Sequence, residues 1–199
     1  MLPTSRTMIA VGDPSPILHT ESNGDIWIFG YGSLMWRPGF DVIERRSALI
    51  HGYHRAFCVY SHWHRGTPEK PGLVLGLDRG GACRGAVYRV AAKSARDAVD
   101  YLDARERVTD VYHPHWTTAR TQAGNVTALT YVPRYRTHVQ YAGKLPSDTA
   151  AELLAHGIGN SGPGWEYLEN TVAHLLEEGI RDTHLMDLRD RVRKIRASA

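Results

Sequence analysis

Short apolar runs separated by turn residues fill the first two thirds of the chain, and helical spacing takes over towards its end. Residues 26–31 form an apolar run that breaks into a glycine-bracketed turn and predicts a strand. Residues 55–60 predict another. Residues 73–77 and 85–90 flank Asp78-Arg79-Gly80-Gly81, a hairpin signal. Residues 115–121 and 127–132 bracket Ala123-Gly124-Asn125, a second hairpin signal. Between and after them the period changes. Ala95, Ala98, Val99 and Leu102 share one helix face behind Ser94-x-x-Asp97, which resembles a capping box. Thr149-x-x-Glu152 opens a short helix through Leu153 and Leu154. Tyr167, Leu168, Val172, Leu175 and Leu176 define a stronger helix closed by Gly179. Leu185, Leu188, Val192 and Ile195 define a last one, with Asp182 as its N-cap. Short strands with interposed helices predict an α+β domain built on a small curved sheet or barrel.

Residues 1–25 carry Pro3, Pro14 and Pro16, Gly12 and Gly24, and no periodicity. They read as an N-terminal extension ahead of a single domain at 26–199. The length, 199 residues, suits one domain that buries its own core without metal or disulfide staples. No apolar run is long enough for a transmembrane helix, and the start lacks a secretion-signal pattern. Two cysteines, Cys58 and Cys83, do not make a disulfide framework, so a reducing, cytoplasmic setting is expected. The net charge is +3. The basic group at Arg189, Arg191, Arg193, Lys194 and Arg196 reads as the exposed face and end of the last helix rather than a nucleic-acid surface. Neither nucleic acid nor membrane is an expected partner, and the oligomeric state is open.

Candidate chemistry lies in two places. Gly30-Tyr31-Gly32-Ser33 follows its strand directly, so successive backbone N–H groups could converge on an anion. The spacing is not that of a dinucleotide fingerprint, no P-loop lysine follows, and a tight structural turn is the alternative. Glu106 ends the predicted helix between Arg105 and Arg107, either as part of a surface charge cluster or as a pocket carboxylate walled by Tyr112. His62-x-His64 and His113-x-His115 each set two imidazoles on one strand face, a metal pair or separate pocket-lining groups. No further ligand pattern accompanies them, so no metal is expected. Cys58 and Cys83 sit on strand-like runs, as inert core cysteines do.

The ordered set of segments resembles the ChaC family of γ-glutamylcyclotransferases. The matching segments are residues 29–34, Leu49-Ile50-His51-Gly52-Tyr53-His54-Arg55-Ala56-Phe57, residues 64–69, 71–75 and 83–90, Tyr101-Leu102-Asp103-Ala104-Arg105-Glu106, and Gly159-x-Ser161-Gly162 with Glu166-Tyr167-Leu168. The resemblance implies a compact β-barrel flanked by helices. It also implies a cytosolic, cofactor-free enzyme that takes a small molecule, glutathione, and releases 5-oxoproline and cysteinylglycine. On the matching positions Tyr31, Gly32, Ser33 and Leu34, with Gly30 and Met35 beside them, hold the γ-glutamyl group. Glu106 falls on the catalytic glutamate and Tyr112 on the tyrosine that follows it. His64 and Arg65 reach the peptide end, Arg65 pairing with the glycine carboxylate. One departure is Gly164, where the family usually has asparagine.

This chemistry sets a requirement. The substrate α-amine has a pKa of roughly 8 and a glutamate roughly 4.3, so proton transfer in water is uphill by roughly 5 kcal/mol. Burial raises the carboxylate and lowers the amine. Glu106 is therefore expected in an apolar pocket, turned away from both Arg105 and Arg107, with backbone N–H groups of residues 32–34 receiving the oxyanion. Two other readings stay open: a cyclotransferase for other γ-glutamyl amines or dipeptides, and a non-catalytic regulator linked to cation transport.

Overall fold

The computed structural model describes residues 19–198. Most of the predicted extension therefore lies outside the described residues. Its last part, residues 21–25, folds against the barrel, with Trp27 Nε1 donating to Glu21 Oε1 at 2.6 Å.

Five strands close a barrel in the order β1-β3-β2-β4-β5. They are β1 (Ile26–Gly30), β2 (Glu44–Ser61), β3 (Gly72–Val90), β4 (Tyr112–Thr121) and β5 (Gly124–Pro133). Closure is made by β5 lying parallel to β1, with Trp27 opposite Ala128 and Ile28 opposite Leu129. A 3₁₀ turn, Ser33–Met35, follows β1, and α1 (Ala92–Glu106) joins β3 to β4. After the barrel come α2 (Ser147–His156), the short strands β6 (Ile158–Gly159) and β7 (Gly162–Pro163), α3 (Gly164–Glu177) and α4 (Thr183–Ala197).

β1 explains its unbroken apolar run. Trp27 and Phe29 pack in one cluster with Leu154 of α2, Leu168 and Val172 of α3, and Leu185 of α4. Ile26 and Ile28 pack in the other, with Ala95, Val99 and Leu102 of α1. Both faces of the strand are buried, so no polar alternation is left to see.

Three local expectations are corrected. Asp78–Gly81 is not a hairpin turn, because β3 runs straight through it beside β2. The register passes from His51↔Ala82 to Tyr53↔Arg79, which leaves one extra residue on β3. Gly80 and Gly81, with φ of +94° and +71°, absorb it as a bulge. Ser94 does not cap α1 either. The N-cap position is Ala91, whose methyl group cannot accept a hydrogen bond, and the Ala92 N–H donates instead to Asp25 Oδ1 at 2.9 Å. Likewise α2 begins at Ser147 behind Pro146, ahead of the Thr149-x-x-Glu152 signal. The second hairpin forms, Thr121 pairing with Gly124 around Gln122 and Ala123. Asp182 caps α4 through Leu185 N–H at 3.1 Å, and Gly179, with φ of +69°, follows the end of α3.

The basic residues of α4 are largely spent on neighbouring helices. Arg191 reaches Asp148 at 2.7 Å, Arg193 reaches Glu169 at 2.6 Å, and the Arg196 guanidinium lies 4.1 Å from the Trp165 ring centre. Among the described residues no helix is long and apolar enough to cross a membrane.

Candidate active site

The turn after β1 is tight because backbone and side chains meet where Gly30 sits. A Cβ there would lie 3.0 Å from Leu34 Cβ and 3.2 Å from the Tyr88 ring. The chain then winds through the 3₁₀ turn, with Met35 N–H donating to Gly32 O at 2.8 Å. The first N–H groups of such a turn have no partner within it. The Tyr31 hydroxyl donates to Tyr131 O at 3.1 Å and fixes the turn against β5.

Beside the turn opens a cavity of about 540 Å³. Of the residues singled out from sequence, Tyr31, Gly32, Ser33, Leu34, Arg65, Glu106 and Tyr112 line it. Gly30 and Met35 do not. Gly30 is held in the ladder opposite Ala86. Met35 is buried behind the turn, its carbonyl accepting from the Tyr88 hydroxyl at 2.9 Å.

Glu106 is the last residue of α1 and lines the cavity. Burial pushes its pKa up, and the neighbouring Arg105 pulls it partly back. The expected separation from both arginines holds for Arg107, which turns to Asp103 and Asp110 at 3.6 Å each. It fails for Arg105, whose Nε lies 3.3 Å from Glu106 Oε1. The reason lies across the cavity. Arg105 Nη2 donates to Ser33 Oγ at 2.8 Å and Nη1 to Arg37 O at 2.9 Å, so the guanidinium ties the helix end to the turn and meets the carboxylate in passing. The sequence carried one signal for this, Tyr101 four residues before Arg105 on the same helix face, whose hydroxyl accepts from Nη1 at 3.2 Å.

The opposite wall comes from the loop after β2. His62, Trp63, His64 and Arg65 line the cavity. This loop is braced by residues 159–162: Asn160 N–H donates to Trp63 O at 2.8 Å and Ser161 N–H to His64 O at 2.9 Å. Gly159 has to be glycine, since a Cβ would lie 2.4 Å from Trp63 O. Arg65 Nη1 donates to Ser161 O and, at 3.3 Å, to Pro163 O, while its guanidinium sits 4.9 Å from the Tyr167 ring centre. His64 Nδ1 is 2.9 Å from Ser161 Oγ, and burial, then Arg65 and Arg105, lower its pKa. Gly164 is not part of the wall. It opens α3 against α2, and a Cβ there would lie 3.0 Å from Leu154 O.

Three tyrosines complete the enclosure. Tyr112 donates to Leu75 O at 2.5 Å and Tyr131 to Asp103 Oδ1 at 2.7 Å. Burial pushes both phenols well up, and it pushes that of Tyr167 up to about 12. All three are neutral hydroxyls at physiological pH. Tyr141 lies outside the cavity and donates to Asp78 Oδ1 at 2.6 Å. Cys58 and Cys83 are buried thiols whose pKa values burial raises, and neither lines the cavity. His115 is engaged with the Tyr53 hydroxyl at 3.2 Å. Among the described residues no group of three or more His, Cys, Asp or Glu side chains could hold a metal ion.

Comparison with known proteins places the chain in a family and its fold among solved structures. The chain is 34% identical over 175 residues to the glutathione-specific γ-glutamylcyclotransferase of Escherichia coli, covering 87% of this chain and 75% of that protein. It is 35% identical over 164 residues to the human glutathione-specific γ-glutamylcyclotransferase 1, covering 78% and 73%. The fold matches the crystal structure of a yeast γ-glutamylcyclotransferase specific to glutathione with a TM-score of 0.79 at 24% identity, over 89% of this chain and 99% of that one. The profile of the family described as ChaC-like protein matches residues 26–195, and the chain belongs to that family.

Proposed function

We propose that the protein is a γ-glutamylcyclotransferase that cleaves glutathione to 5-oxoproline and cysteinylglycine. The observation that carries this reading is a carboxylate, Glu106, whose pKa burial raises, facing a glycine turn across one cavity. The relatives' glutathione-specific names support the choice of substrate. In the reaction, Glu106 takes a proton from the substrate α-ammonium group. The freed amine attacks the γ-carbonyl carbon of the same molecule, so proximity is largely built in. Negative charge moves to the carbonyl oxygen, for which the N–H groups of residues 32–34 are the donors. That attack closes the five-membered ring. Protonated Glu106 then gives its proton to the cysteine nitrogen as the oxyanion collapses and the C–N bond breaks, and the regenerated carboxylate takes the remaining extra proton from the ring nitrogen, which leaves 5-oxoproline and the free amine of cysteinylglycine. One carboxylate serves as base and then as acid, and the chemistry needs no cofactor. Arg105 holds that carboxylate and the Ser33 hydroxyl in one frame. Arg65 and His64 receive the peptide end, Arg65 taking the glycine carboxylate. We assign the activity to residues 26–199 and its setting to the cytosol, where glutathione is reduced.

The test is product release. Purified protein is incubated with reduced glutathione and, separately, with γ-glutamyl dipeptides, and 5-oxoproline is quantified. Release from glutathione is the expected result. Release only from the dipeptides would change the substrate and keep the chemistry. No release from any, with folded protein, would overturn the enzyme reading in favour of a binding or regulatory role.

A further inference from the structure

Arg55 projects from β2 into the interior, its side chain 2% exposed, and it does not line the cavity. Its guanidinium is used in several directions at once. Nε donates to the Tyr31 carbonyl, and Nη2 donates to the Arg84 carbonyl at 2.6 Å and lies 3.8 Å from Met35 Sδ. Nη1 faces Asp182 Oδ2 at 3.3 Å. The other oxygen of Asp182 caps α4. Taking a charge out of water is expensive, and this geometry is specific to a planar fork that lysine cannot reproduce.

The consequence follows from peptide geometry. No peptide bond among the described residues is cis. In a trans peptide the C=O and the following N–H point in opposite directions. The Tyr31 carbonyl points to Arg55, which is not among the cavity-lining residues, and the Gly32 N–H of the same peptide points the opposite way, while Gly32 itself lines the cavity. A Cβ on Gly32 would come 3.6 Å from the Tyr167 hydroxyl, which places this wall beside the enclosed tyrosine.

We propose that Arg55 is a positioning residue: by fixing the Tyr31–Gly32 peptide plane from behind, it aims the Gly32 N–H at the oxyanion of the tetrahedral intermediate, and Asp182 holds its guanidinium in place. This rests on the cyclotransferase reading above. It assigns Arg55 no contact with substrate. Its effect belongs to the transition state, because the oxyanion exists only there.

The experiment compares wild type with Arg55→Lys, Arg55→Gln and Asp182→Asn. Wild-type turnover of glutathione first checks the reading itself. Both Arg55 variants should lower kcat by about 10- to 100-fold with KM within about threefold. The acid limb of the kcat–pH profile should stay in place, since Glu106 keeps its surroundings. Asp182→Asn keeps a competent cap and should lower kcat less. A second readout needs no turnover: in ¹⁵N–¹H spectra the Gly32 amide resonance should shift in each variant. A folded Arg55→Lys protein with wild-type kcat would overturn the proposal, as would a fall in kcat accounted for by a displaced acid limb or a smaller folded fraction. If the Arg55 variants do not fold, Asp182→Asn decides, and an unchanged kcat with an unchanged Gly32 resonance overturns it. If wild type releases no 5-oxoproline, the functional reading fails separately. The Gly32 resonance then still tests the geometry, and no shift in any variant overturns that too.

Discussion

The turn-and-tyrosine wall of the cavity and the wall made by residues 62–65 differ in almost every physical respect. On the first, Tyr31, Leu34, Leu75, Tyr112 and Tyr131 are buried, and the three tyrosine hydroxyls are fixed by hydrogen bonds. On the second, Trp63 is 58% exposed, and the loop is braced by backbone bonds from Asn160 and Ser161. Fixed dipoles in a water-poor setting act strongly on developing charge. An exposed wall offers weaker, screened and more adaptable contacts. On the proposed function, bond breaking belongs to the buried wall and recognition of the rest of the substrate to the exposed one.

The largest blow to this division would come from Glu106→Gln. It should keep substrate binding and lower kcat by about 10³-fold or more, measured as 5-oxoproline release. The same substitution should not lower the melting temperature at pH 7. The folded-state pKa of Glu106 is raised, so its contribution to stability is present at low pH and is lost as pH rises through that pKa. The amide has no such loss. Next comes Arg105→Gln, expected to reduce kcat about tenfold by freeing the carboxylate and Ser33. Arg105 lowers the Glu106 pKa, so its removal should move the acid limb of the kcat–pH profile to higher pH. A limb that moves down instead would contradict the contact seen here.

The exposed wall should answer differently. Arg65→Gln should raise KM for glutathione about tenfold with kcat nearly unchanged, the size of one charge-assisted contact. With a γ-glutamyl amine that lacks the glycine carboxylate, the same variant should match wild type. If Arg65→Gln instead lowers kcat as steeply as Glu106→Gln, the two walls share one task and the division is wrong. The smallest effect is expected for Trp63→Ala, within about threefold in kcat and KM, because a mostly exposed ring gives up little on truncation.

What could be read from sequence follows the same division between local and distant causes. β1, the second hairpin, the end of α3 and the Asp182 cap announce themselves because their signals are contained within a few residues. The Asp78–Gly81 segment misleads because paired glycines suit a turn and a bulge equally well, and only the partner strand decides between them. Ser94 misleads because the real cap comes from Asp25, far back in the chain. At the site, residues 31–34, Arg65, Glu106 and Tyr112 were legible as a set and converge on the cavity. Gly30 and Met35 flank the turn in sequence but fall behind it in space. Arg105 was visible only as a charge from which Glu106 was expected to turn away, and Arg55 only as a residue of a matching segment. What each does depends on partners in other elements: Ser33 and Arg37 for one, Tyr31 and Asp182 for the other.

The pairing of Arg55 with Asp182 spans 127 positions of sequence. A ribosome delivers all five barrel strands before it delivers that aspartate. Until Asp182 emerges, the nascent chain already owns the turn and Glu106 but has no counter-ion for the Arg55 guanidinium. A fragment stopped short of Asp182 therefore carries the turn and Glu106 on a scaffold with an unbalanced interior charge. On the proposed role of Arg55, a finished oxyanion site would thus arrive with the residue that opens the last helix, at the end of synthesis rather than during it.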